Sequence, residues 1–184
     1  MPKRGTDLRS DGARNREKVL QAAGFILREM GPDAPLKAVA KRAGVTRTTI
    51  YRNFESRCDL CAAVVEREFD LIRQDLQLEG WLPLRPLMAR LVDLVDLCDT
   101  LGRSLPLPGK TDETSCRAEN MCSLVTGALD MAKRAGEVRS DLTEEDVLRA
   151  CRMIASGWRL DGEPCRDTAL AKRLELIMLG LRQH

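Results

Sequence analysis

"AVAKRAGVTRTTIYRNF", residues 38–54, decides how this chain is read. It joins two short amphipathic segments through one glycine. Ahead of the glycine, Leu36, Val39, Ala40 and Ala43 recur at helical spacing behind Pro35, and Gly44 closes the segment. Beyond it, Thr46 is a helix cap whose hydroxyl can accept from a free amide of the first turn. Ile50 and Phe54, four residues apart, give the second helix an inward side and leave Arg47, Thr48, Tyr51 and Arg52 near or on the remaining surface. Two short helices joined by a glycine turn, the second polar outside, follow the helix-turn-helix plan. In that plan the first helix holds the second so that its N-terminal end enters a major groove.

Outward from this pair the chain stays helical. Upstream, Val19, Ala22, Ala23, Ile26, Leu27 and Met30 mark a helix over 14–30, ended by "GPDAP", while the first thirteen residues, with Pro2, Gly5 and Gly12 among charges, read as a flexible basic arm. Downstream, Ser56 with Asp59 is a capping-box variant opening a long fourth helix through Leu60, Val64, Phe69, Ile72 and Leu76. Pro83 or Pro86 starts the next, and "LGRSLPLPGKTDET" reads as a connection. A helix from about Ser115 to Ala135 follows. Thr143 with Asp146 caps another, carrying Val147, Ala150, Cys151, Ile154 and Trp158. The last shows Leu170, Leu174, Ile177 and Leu181 on one stripe. No segment of useful length has a strand period, so the expected class is all-α: a three-helix helix-turn-helix domain followed by a helical domain.

Composition narrows the function. The 184 residues are 43% hydrophobic and 32% charged, too apolar for disorder, and no apolar run reaches the ~20 residues a membrane span needs. The basic start has no apolar core behind it, so no signal peptide and a cytoplasmic location are expected. The single histidine is the last residue, which removes histidine bases, triads and imidazole metal sites. No cofactor, no metal and no enzymatic activity are expected. The seven cysteines (58, 61, 98, 116, 122, 151 and 165) read as reduced thiols. "CDLC" at 58–61 reads as two small residues on the buried side of a helix, since no second pair or histidine completes a zinc site. Residues 1–57 hold 13 Lys and Arg against 6 Asp and Glu, a charge of +7, which leaves −5 for the rest of a chain of net +2. A basic head on an acidic body points to a polyanionic partner.

The whole of residues 16–68, with "AVAKRAGVTRTTIYRNF" followed by the capped "ESRCDL", resembles the N-terminal domain of TetR-family transcriptional regulators. The resemblance covers about the first third of the chain. It implies a basic arm over 1–13, a DNA-binding domain over 14–57, and a helical effector-binding and dimerisation domain over 58–184. It puts Arg47 and Thr48 at base edges, where arginine pairs with guanine and threonine hydrogen-bonds or meets a thymine methyl. Thr46, Tyr51, Arg52 and Arg57 fall at phosphate-contacting positions. Asn53 stands where histidine or tyrosine is frequent. The last two helices are implied as a dimer interface through Val147, Ile154, Trp158, Leu170, Leu174, Ile177 and Leu181; Leu97, Met121 and Trp158 read either as core or as walls of a ligand pocket.

The resulting expectation is a homodimeric, sequence-specific DNA-binding regulator, a repressor released from a double-stranded operator by a small-molecule effector that biases α-helical body and head toward a DNA-incompetent arrangement. A second expectation keeps the fold and replaces the effector by cysteine oxidation, with Cys116 and Cys165 beside loops as the exposed thiols. An interaction module without DNA is disfavoured by the +7 head.

Overall fold

The computed structural model describes residues 5–79, 82–102 and 113–182. Among the described residues there are eight α-helices and no strand: α1 (Gly5–Met30), α2 (Leu36–Ala43), α3 (Arg47–Asn53), α4 (Arg57–Glu79), α5 (Leu84–Leu101), α6 (Glu113–Arg134), α7 (Glu144–Ala155) and α8 (Arg166–Gly180), with one 3-10 turn at Trp158–Leu160. No helix among them is long and apolar enough to cross a membrane. They fall into two compact units. One holds α1–α3, α4 as far as Glu68 and the end of α5 from Leu97. The other holds α4 from Phe69, α5 as far as Asp96, and α6–α8.

In the first unit, α1 begins well before its apolar stripe. Residues 5–13, expected to be a flexible arm, are its first turns, and residues 1–4 lie outside the described range. Gly12 alone, a residue that costs a helix about 1 kcal/mol, does not interrupt it. Val19, Leu20, Ala23 and Leu27 of α1 are buried in the same core as Val39 and Ala40 of α2, Ile50 of α3 and Leu60, Cys61 and Val64 of α4. Met30 falls off the stripe and is exposed. Across that core, Arg28 Nη2 meets Glu68 Oε2 at 2.9 Å, and Arg67 donates from Nε to Glu17 Oε1 at 2.7 Å and from Nη1 to Glu68 Oε1 at 3.1 Å. The part-buried Arg28–Glu68 bond and the exposed Arg67–Glu17 bond tie α1 to α4, while Arg67–Glu68 lies within α4, and together they hold the platform on which α2 and α3 rest.

In the second unit, α7 opens with the expected reciprocal cap: Thr143 Oγ1 accepts from Asp146 N–H at 3.2 Å and Thr143 N–H donates to Asp146 Oδ2 at 3.0 Å. The helix stops at Ala155 instead of running to Trp158, because Gly157 takes φ 67°, the left-handed region, and redirects the chain into the 3-10 turn. A polar knot sits inside this unit. Asp96 is only 5% exposed, yet its carboxylate accepts from Trp158 Nε1 at 3.0 Å and Arg166 Nε at 2.7 Å. Arg166 Nη2 also donates to Asp93 Oδ1 at 2.8 Å. A buried charge is tolerated only when paired in this way, so the knot fixes α8 and the 3-10 turn against α5.

Candidate nucleic-acid interface

The surface of α3 is built by the two residues it hides. Ile50 is 2% exposed and Phe54 5%, and each buries roughly 1.5–3 kcal/mol worth of apolar side chain. With that side fixed inward, Arg47, Thr48, Tyr51 and Arg52 are exposed together and Thr49 is half-buried. Thr46 caps the helix as expected, its Oγ1 accepting from Thr49 N–H at 3.2 Å and lying 3.0 Å from Thr49 Oγ1. Phe54 N–H closes the other end on Ile50 O at 3.0 Å.

The turn before α3 is equally determined. Gly44 has φ 66° and sends its N–H back to the carbonyls of Lys41 and Ala40, while Val45 N–H reaches Ala40 O at 3.1 Å. This left-handed close is open to glycine at no torsional cost. It sets the angle at which α3 leaves α2.

Within the exposed set, Arg47 Nη2 makes a long contact of 3.5 Å to Tyr51 Oη, and its guanidinium lies 6.0 Å from the Tyr51 ring centroid. The phenol therefore steers the arginine along the outer face. Neither Arg47 nor Arg52 has an ion pair among the described residues, so both keep their charge for an external anion. Asn53 is different: its Nδ2 donates to Thr49 O at 2.7 Å and seals the last turn.

Arg57 is bonded within its own chain. Its Nη1 donates to Pro32 O at 2.5 Å and Ala34 O at 2.9 Å, inside the α1–α2 turn. The side chain is half-buried and clasps that turn to the start of α4, a structural contact that the sequence did not announce. The cap beside it is as expected, with Ser56 N–H on Asp59 Oδ2 at 2.8 Å and Asp59 N–H on Ser56 Oγ at 3.1 Å. Cys61 is buried but Cys58 is exposed, so "CDLC" is not a pair of core residues.

Two contacts had no clear sequence signal. Arg42, at the end of α2, stacks on Phe25 of α1 with 3.4 Å between guanidinium and ring centroid, and Arg16 sits 5.2 Å over the Phe54 ring. Both are cation–π contacts that cover apolar rings at the edge of the head.

Several residues expected elsewhere in the chain are placed differently. Val147, Ile154, Leu170 and Leu174, expected to face a second copy, are 0–6% exposed inside the second unit itself, too little to make a partner surface. Their stripe packs on neighbouring helices of the same chain. Ile177 and Leu181 are half-exposed. The apolar side chains on the outer side of this region are Met153 (60% exposed), Leu160 (90%), Leu176 (69%) and Leu179. Of the expected pocket walls, Leu97 is fully buried, Met121 is half-buried on α6, and Trp158 gives its indole to Asp96. The Cys116 side chain lies outside the described residues. Cys165 is exposed at the start of α8, 3.1 Å from Thr168 Oγ1. That hydroxyl, with the first amides of the helix, holds its thiol below the ordinary range.

Comparison with known proteins agrees with this geometry. The sequence profile described as "Bacterial regulatory proteins, tetR family" matches residues 19–64, the stretch from α1 into α4. The HTH-type transcriptional repressor BepR of Brucella suis is 25% identical over 199 residues, covering 95% of this chain and 90% of that protein. The crystal structure of the TetR transcriptional regulator SCO0520 from Streptomyces coelicolor superposes with a TM-score of 0.72 at 30% identity, covering 91% of this chain and 98% of that one. The TetR transcription regulatory protein from Mycobacterium vanbaalenii is also 30% identical, with a TM-score of 0.58 and coverage of 96% and 99%.

Proposed function

The chain belongs to the TetR family of DNA-binding transcriptional regulators, and from that premise we propose that it works as a homodimeric repressor released from its operator by a small-molecule effector. The family is one of regulators and not of enzymes. The observation that carries the proposal is the exposed face of α3, where Arg47 and Arg52 are unpaired cations beside Thr48 and Tyr51 on a helix anchored by Ile50 and Phe54. Arg47 and Thr48 read base edges, and Thr46, Tyr51 and Arg52 grip phosphates. Because Arg57 clasps the α1–α2 turn, it acts on DNA binding only through the platform.

A single head covers one half-site, so a palindromic operator requires two. The exposed Met153, Leu160, Leu176 and Leu179 supply the apolar surface for a second copy in place of the buried residues first expected. Effector binding in the second unit acts through α4, the helix shared by both units, and favours the arrangement that does not fit DNA. A cytoplasmic site of action follows from this role.

A second reading keeps the head and makes a thiol the sensor. It is favoured by Cys165, which is exposed and has its pKa lowered by the Thr168 hydroxyl. One experiment addresses both: selection of host genomic fragments bound by the full chain, with and without reductant. Recovery of a common palindrome supports the operator reading, and recovery of random fragments refutes it. Reductant dependence that disappears in Cys165→Ser moves control to the thiol.

A further inference from the structure

Within the second unit, one face of α5 and one face of α8 enclose a groove of about 300 Å³ that none of the roles above uses. Its floor is apolar, made by the buried side chains of Val92, Leu170 and Leu174, and the small Ala89 and Ala171 leave the space above that floor. From Arg85 to Asp93 the wall spans nine residues of α5, about 12 Å at the helical rise.

The two ends of the groove have opposite charge. At one end Arg166 is saturated by three carboxylates: Asp96 on Nε at 2.7 Å, Asp93 on Nη2 at 2.8 Å and Asp167 on Nη1 at 3.2 Å. One guanidinium among three acids leaves that end negative. At the other end Arg85 is exposed and has no ion pair among the described residues. The groove is therefore a greasy trough with an unmatched cation at one end and surplus carboxylate at the other. Its volume lies at the lower limit of small-molecule sites.

We propose that this groove binds an elongated aliphatic monocarboxylate. The ligand's carboxylate lies on Arg85, its chain covers Val92, Leu170 and Leu174, and its uncharged tail points toward Asp93. The charge pattern excludes an acid at both ends, because a second carboxylate would meet Asp93 and Asp167. The small residues Ala89 and Ala171 set the width, so filling either one closes the trough. The inference concerns binding alone and does not rest on the operator reading.

The test is calorimetric titration of the full chain with decanoate, below its micelle threshold, beside decanedioate, which has nearly the same length and a carboxylate at each end. Saturable binding at one site per chain is expected for decanoate, with decanedioate at least about tenfold weaker. Arg85→Gln weakens decanoate by about fivefold to tenfold, as loss of one exposed charge-assisted contact predicts. Ala171→Phe, at an exposed position of α8, abolishes binding with an unchanged circular dichroism spectrum. No saturable binding of decanoate, equal affinity for the two acids, or equal affinity in both variants would each overturn the assignment.

Discussion

Replacing Arg57 by methionine separates a clasp from a phosphate contact. Methionine keeps much of the apolar stem and removes the guanidinium, so the bonds from Nη1 to Pro32 O and Ala34 O are lost. A hydrogen bond from a charged donor is worth about 1.5–3 kcal/mol. Two sharing one nitrogen do not add fully, and Pro32 is half-exposed, so water recovers part of that carbonyl's loss; Ala34 is 2% exposed and its residue recovers little. The expected decrease in unfolding free energy is about 2 kcal/mol, read as a lower urea midpoint at unchanged slope and fixed protein concentration. The DNA arm of the assay follows operator affinity against salt, where each neutralised phosphate contributes about 0.9 to the logarithmic slope. For Arg57→Met the slope stays at the wild-type value. Arg52→Met, which removes an exposed and unpaired cation, lowers the slope by about 0.9 per head with stability intact. Unchanged stability in Arg57→Met together with a lowered salt slope would refute the clasp and restore Arg57 to the phosphate set.

Other outcomes are open to measurement. Arg47→Ala narrows the ratio of operator to random-DNA affinity by about 1–3 kcal/mol, whereas an equal loss on both would make Arg47 a phosphate anchor. Ile50→Ala costs about 2–5 kcal/mol in thermal or urea unfolding and removes DNA binding with it; a well-folded, binding-competent variant would contradict the account of how α3 is held. A thiol reagent labels Cys58 and Cys165 in the native protein and reaches Cys61 and Cys151 only on unfolding, and fast native labelling of Cys151 would contradict its burial. Burial pushes the Cys151 thiol from its ordinary value of 9.0 up to about 12. The unfolded chain therefore loses that proton first, and its share of stability, complete below pH 9, declines as pH rises toward about 12. Cys151→Ala should flatten that decline, and an identical alkaline profile would count against the assignment.

What could be read from sequence was whatever is decided within a few residues. The caps at Thr46, Ser56–Asp59 and Thr143–Asp146 each span three residues, and all form as their spacing implies. The inward pair Ile50 and Phe54 is fixed by one helical turn. Contacts between distant positions had no such signal. Arg57 bonds to carbonyls 25 and 23 residues earlier, Arg67 meets Glu17 across 50, and Arg166 meets Asp96 across 70. Periodicity also states that a face is apolar without saying what covers it. Leu170 and Leu174 satisfied the stripe expected of a partner surface and turned out to be covered by their own chain. The arm failed for another reason: a single Gly12 among helix-tolerant charged residues is too weak a breaker to stop α1.

The left-handed close at Gly44 also gives the head an adjustable stiffness. A Cβ added there would touch nothing within 4 Å, so the cost of a side chain is torsional and not steric. Asparagine tolerates φ 66° better than alanine does, and alanine better than a β-branched residue. A graded series at this one position would thus loosen the angle between α2 and α3 in steps while leaving every DNA-facing side chain unchanged. Affinity lost along such a series would measure how much of operator binding is preorganisation, the part owed to a helix already waiting at the right angle, as distinct from the contacts it makes on arrival.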